Sequence, residues 1–200
     1  MNSLKPLCFA EVIESSLTIW TGQCWRLEDY PSLGSLVCLE YDTIQAYGVI
    51  SAIQTQAKES GRKPFAYGKT VEELRQEQPH IFQLLASSVT CLPIGYRQNH
   101  HIVHEIPPRP APLHTFVRVC TPTELKDFFK SPNWLIPFLN LASNNPLADE
   151  LLIALLRMAY EQADLKTDRL KEIIDLFCLL TRADYRRLKT FLQRIELFIH

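Results

Sequence analysis

Two hundred residues with 46% apolar content suffice for one sizeable core or two small domains. A formal net charge of -1 and a pI near 6.6 exclude a global field that could gather nucleic acid, anionic membrane or an acidic substrate, so any such partner needs a local patch. No apolar run reaches the ~20 residues of a membrane-spanning helix, and the N-terminal MNSLKPLCFAEVIESS lacks the apolar core and small-residue cleavage site of a secretory signal. A soluble, cytoplasmic protein is expected.

All six glycines fall in the first 95 residues and none in the last 105, so the two halves are built differently. In the first, LCFAEVIES, SLTIWTGQCWRL, SLVCLEYD and TIQAYGVISAIQTQ are short, rich in β-branched and aromatic residues, and separated by turn signals such as Ser15-Ser16 and Pro31-Ser32-Leu33-Gly34. Val37, Leu39 and Tyr41 alternate with Cys38 and Glu40, the period-two pattern of a strand with two different faces. Four such runs at close spacing leave little room for crossover helices and predict a small antiparallel sheet or barrel over residues 7–56.

Residues 70–86 predict a helix that starts on a capping box, Thr70 with Glu73, and is kinked or divided at Pro79. SVTCLPIGYR and HIVHEI predict two further strands around Gly95, and PPRPAP (107–112) a stiff connector into a last strand, LHTFVRVC. From residue 121 the period turns helical. Thr121-Pro122 with Glu124, Ser131-Pro132 and Asn145-Pro146 mark helix starts, giving helices over about 122–130, 132–143, 146–164, 167–181 and 183–198. Leu147, Leu151, Leu155, Met158 and Ala159 should line the buried face of the third. Tyr185, Leu188, Phe191, Leu192 and Ile195 should line that of the last. The expected fold class is α+β: a β-barrel domain over residues 1–120, its core at 7–56 completed by strands from 88–119, then a helical bundle over 121–200.

The segment GRKPFAYGKT (61–70) ends like a phosphate-binding P-loop but fails its spacing. Six residues rather than four separate Gly61 from Gly68, and among them Pro64 offers no amide. Gly68-Lys69-Thr70 reads instead as a turn and a helix cap. Cys8, Cys24, Cys38, Cys91, Cys120 and Cys178 never form C-x-x-C and read as buried thiols of a reduced protein. His100, His101 and His104 beside Glu105 raise the alternative of a metal-dependent enzyme, but on a strand His100 and His104 would stand ~13 Å apart, too far to share an ion. Adjacent acids such as Glu72-Glu73 and Asp149-Glu150 point apart on helix surfaces, and no G-x-S-x-G elbow occurs. Arg182, Arg186, Arg187, Lys189 and Arg194 face Asp184 alone, about +4 over thirteen residues. This basic stretch could meet an acidic protein surface or phosphates, though little aromatic interleaving supports nucleic acid.

The stretch LGSLVCLEYDTIQAYGVISAI (33–53) resembles a HAS-barrel, the small N-terminal barrel of HerA helicases and ATP synthases. The likeness lies in Gly34 before an apolar strand that ends on Glu40, followed by a second strand with small-residue YGVISAI. It spans about a quarter of the chain, and the whole layout resembles cyanobacterial proteins that carry such a barrel without an ATPase domain. The resemblance implies a docking or oligomerisation collar and transfers no catalytic residue. The expectation is therefore a non-catalytic interaction or assembly module with no cofactor and no metal. Its partner would be another protein, a larger assembly or a second copy, met at the barrel rim and the polar face of the last helix.

Overall fold

Every barrel strand must present one apolar face inward, and the strands that carry the helices must present a second one outward. The computed structural model describes residues 8–59, 61, 63–163, 165, 167–181 and 184–199. Its strands are β1 (Cys8–Ser15), β2 (Trp20–Cys24), β3 (Leu36–Tyr41), β4 (Ile44–Ala57), β5 (Leu85–Gln98), β6 (His101–Val103) and β7 (Phe116–Val119). All pairings are antiparallel. The circuit β1-β7-β3-β4-β5-β2 closes when β2 returns to β1, so six strands form a barrel, with β6 added outside it as a hairpin on β5. Closure pairs what would otherwise be open edges. Bulges between Val12 and Glu14 in β1, and beside Gly48 and Ser51 in β4, supply the bending that so small a barrel needs.

The alternation read in β3 appears as two cores. Val37, Leu39 and Tyr41 fill the barrel with Phe9, Val12, Trp20, Ile50, Val89 and Val117. Leu36 and Cys38 face outward beneath the helices, with Tyr47, Val49, Leu92 and Ile94. The proline connector is fixed rather than merely stiff. Ala111 joins the barrel core, and the Tyr41 hydroxyl donates to the Arg109 carbonyl at 2.7 Å, holding the segment across one end of the barrel.

The helices are α1 (Val71–Glu77) and α2 (His80–Gln83) between β4 and β5, then α3 (Pro122–Phe128), α4 (Leu135–Ala142), α5 (Ala148–Gln162), α6 (Thr167–Leu180) and α7 (Tyr185–Ile199). The Thr70–Glu73 and Thr121–Glu124 capping boxes both form. Pro79 divides the helix expected over 70–86 into α1 and α2, and β5 begins at Leu85, earlier than the spacing suggested. Pro132 opens a 3-10 turn over Pro132–Trp134 ahead of α4. Leu147 is exposed because it caps α5 instead of entering it, and Tyr185 is exposed at the first turn of α7; both were expected on buried faces. The helical layer is seated by aromatic edges running from Tyr47 on the barrel wall through Phe128, Phe129 and Trp134 to Phe138, with successive centroids 4.9–6.2 Å apart.

Two glycines let barrel and helices approach. A Cβ on Gly95 would lie 2.9 Å from the Phe128 ring. At Gly34, where φ is +81°, a Cβ would lie 2.6 Å from Ala154 Cβ and 2.8 Å from the Leu155 amide nitrogen. Gly34→Ala is expected to cost about 3 kcal/mol, combining left-handed strain with overpacking. Gly61→Ala has the same strain, at φ +85°, but open space around it, and is expected to cost about 1 kcal/mol. Urea unfolding of the two variants measures the difference.

Candidate functional site

The densest chemistry lies where β3 and β7 meet the start of α3. Strand alternation places Val117 and Val119 inside the barrel and turns Arg118 outward, under the helical layer, where it is 4% exposed. A buried guanidinium demands partners. Its Nη1 donates to Glu124 Oε2 at 2.8 Å, and its Nη2 to Glu124 Oε1 at 2.7 Å and Glu40 Oε1 at 2.8 Å. Glu124 is also the capping-box residue of α3, accepting from the Thr121 amide at 2.8 Å. Gln45 Nε2 donates to the same carboxylate at 2.5 Å, and the Tyr47 hydroxyl orients Gln45 by donating to its Oε1 at 2.9 Å. Burial pushes the Glu124 carboxyl up, but Arg118, Thr121 and Gln45 together outweigh it and hold the group at about 2. The Glu124 hydrogen bonds in turn raise Arg118, against its desolvation.

Two thiols join this cluster. Cys38 pairs with Arg118 across the β3–β7 ladder, and Cys120 precedes the α3 cap. Their sulfurs and a Glu124 carboxylate oxygen all lie within 4.8 Å of one another, and Gln45 Nε2 is 3.6 Å from Cys38 Sγ. Among the described residues this is the one trio placed to share a metal ion. Sequence spacing gave no sign of it, because the two cysteines stand 82 positions apart and meet only through the β3–β7 pairing.

The histidine cluster lies elsewhere. His100 occupies the β5–β6 turn with φ +66°, His101 begins β6, and His104 follows it. With Arg97, Glu105, Asp127 and Lys130 they line an open cleft of about 500 Å³, yet their ring nitrogens do not converge as a metal trio. His104 is a packing residue: its Nε2 lies 3.0 Å from the Phe128 carbonyl, and its ring meets the Phe128 ring edge-on at 4.8 Å. Burial pushes its imidazole below the ordinary value, against the pull of that carbonyl. Asp127 is held between Arg97 at 3.2 Å and Lys130 at 2.6 Å.

The basic stretch of the last helix is partly committed within the chain. Arg187 grips Asp149 at 2.6 Å and Arg194 grips Glu150 at 2.5 Å, so both tie α7 to α5; Arg187 also lies over the Phe177 ring. Arg186 and Lys189 remain exposed, and Arg182 lies outside the described residues. In the former P-loop candidate, Gly61 and Gly68 both have positive φ, Thr70 caps α1, and Lys69 pairs with Glu77.

A different surface feature escaped the sequence reading. Trp25, just after β2, and Phe116, at the start of β7, are 49% and 43% exposed and stack edge-to-face at 5.1 Å. Ile13, Leu27 and the polar side chains of Glu11, Gln23 and His114 border the shallow groove beside Trp25. The β1–β2 register sets Gln23 opposite Glu11 and the β1–β7 register sets Phe116 opposite Glu11, which together assemble this patch.

Comparison with known proteins finds no matching family model and no matching curated relative. Among the described residues no helix is long and apolar enough to cross a membrane.

The Glu124 carboxylate supplies a pH test. Because its folded value is depressed, its stabilising contribution is complete above the ordinary 4.5 and is lost as pH falls from there through about 2. Glu124→Gln is expected to cost about 3 kcal/mol at pH 7. The gap from the parent chain should close towards pH 2, as urea unfolding at a series of pH values would register.

Proposed function

We propose that this chain is a non-catalytic interaction and assembly module, in which the barrel wall formed by β1, β2 and β7 receives another protein surface. The observation that carries the reading is the Trp25–Phe116 pair. Two large aromatic side chains are held half-exposed in a fixed mutual geometry, with Ile13 and Leu27 nearby and a polar border of Glu11, Gln23 and His114. An apolar anchor inside a polar rim is the composition of an interface hot spot, and each ring can bury ~150–250 Å² against a partner.

Other features support the same reading. The barrel interior is occupied by its own side chains, the connector lies across one end, and the ionic groups at the junction satisfy one another. These arrangements favour a rigid support over a reaction chamber. The role also agrees with the docking collar that the likeness to HAS-barrels implies. Arg186 and Lys189 on α7 provide a second, electrostatic contact, one that adds to encounter rate more than to affinity.

The test places a photoactivatable crosslinker at Gln23 in the full chain. The expected product saturates with concentration and is competed away by the unmodified chain, but not by one carrying Trp25→Ala with Phe116→Ala. Light scattering over a concentration series identifies a second copy as the partner if mass doubles. A crosslink that neither saturates nor is competed overturns the reading. Both substitutions are at half-exposed positions and are expected to shift the unfolding midpoint little. Arg186→Glu with Lys189→Glu should slow association several-fold at low salt and leave the dissociation rate nearly unchanged.

A further inference from the structure

We propose that Cys38, Cys120 and Glu124 form a binding site for a thiophilic divalent ion of the zinc type, stapling the barrel wall to the first turn of α3. Three donors from three places in the chain converge: a thiol from β3, a thiol from the residue before the α3 cap, and a carboxylate from the α3 first turn, all within 4.8 Å of one another. Zinc–sulfur and zinc–oxygen bonds of about 2.3 and 2.0 Å put neighbouring ligands of a tetrahedral ion ~3–4 Å apart, so the trio needs only small side-chain adjustments to close on an ion.

The charge balance favours an ion of this class. Binding breaks two S–H bonds and releases two protons to solvent, and the two thiolates then neutralise the divalent charge. The Arg118–Glu124 pair beside them keeps its own balance. Glu124 already accepts from both Arg118 nitrogens, the Thr121 amide and Gln45, which fills the about four acceptor sites of a carboxylate; ion binding therefore requires Gln45 Nε2 to turn from Glu124 to Cys38 Sγ, freeing one lone pair while both Arg118 bonds stay in place. Gln45, fixed by Tyr47 at 2.9 Å and lying 3.6 Å from Cys38 Sγ, is placed to donate to the bound thiolate and orient it. Cys38 and Cys120 are both buried, and the cluster meets solvent chiefly through Glu40 on Arg118, so an ion enters as the first turn of α3 opens.

The first measurement titrates Co²⁺ into the reduced full-length chain. A thiolate-to-cobalt charge-transfer band saturating at one ion per chain is expected, and Zn²⁺ should bleach it. Cys38→Ser and Cys120→Ser should each weaken binding at least 100-fold, while Cys178→Ser leaves it unchanged. A second measurement requires no variant. With and without Zn²⁺, the native chain is treated with a thiol-reactive reagent and the modified peptides are mapped; protection confined to Cys38 and Cys120 supports the site. Absence of the band in the folded chain, its survival in the Cys38→Ser, Cys120→Ser double variant, or equal labelling of Cys38 and Cys120 with and without Zn²⁺ overturns the proposal.

Discussion

One buried guanidinium sets the relation between the two halves of this protein. Arg118 lies on a barrel strand but faces away from the barrel, and an uncompensated charge at such a depth would cost several kcal/mol. Its compensation comes from Glu40 on the neighbouring strand and from Glu124 on the following helix. Glu124 does two things at once, closing the α3 capping box and ending the search of Arg118 for a counter-charge. The first turn of α3 therefore cannot rotate or slide without exposing both needs. That fixes Phe128 over Gly95, and the aromatic series to Phe138 follows from it.

The same economy separates structural charge from surface available for contact. Arg187 and Arg194 look like an exposed basic patch in the sequence but are spent on holding α7 against α5. Asp127 is likewise closed off between two cations. At Trp25 and Phe116, by contrast, two aromatic rings stay half-exposed. A contact made on such rings would rest on shape and burial, and would depend less on salt than one built on charge.

Much of the architecture was legible because local signals and tertiary needs agreed. The alternation of β3 was readable since both of its faces are buried against different cores, and the capping boxes at Thr70 and Thr121 were readable since they are completed within four residues. The errors fall where local pattern met an end effect. Leu147 and Tyr185 continue an apolar stripe by count, yet sit at helix starts where no neighbour covers them. The junction cluster was illegible for a stronger reason. Cys38, Arg118 and Glu124 are ordinary residues in their own segments, and nothing in the chain order announces that β3 and β7, far apart in sequence, are adjacent in the barrel. The Trp25–Phe116 pair was hidden by the same distance.

The ribbon that carries α1 and α2 has its own consequence. Strands β4 and β5 run 14 residues each, longer than the barrel uses, and their far ends, Thr55–Ala57 against Leu85–Ser87, extend into an arm. None of the side chains of α1 or α2, all of them described, is buried, and Phe65 ahead of them is 81% exposed. Beyond Ser87, which is buried and bonded to Thr55 and the Glu28 amide at the base, the arm contributes little to either core, so its tip can open while the barrel stays closed. It is a separable appendage. Chain length and sequence can drift there without touching the folding free energy of the rest, which makes it the natural place in this molecule for new recognition to be grafted or lost.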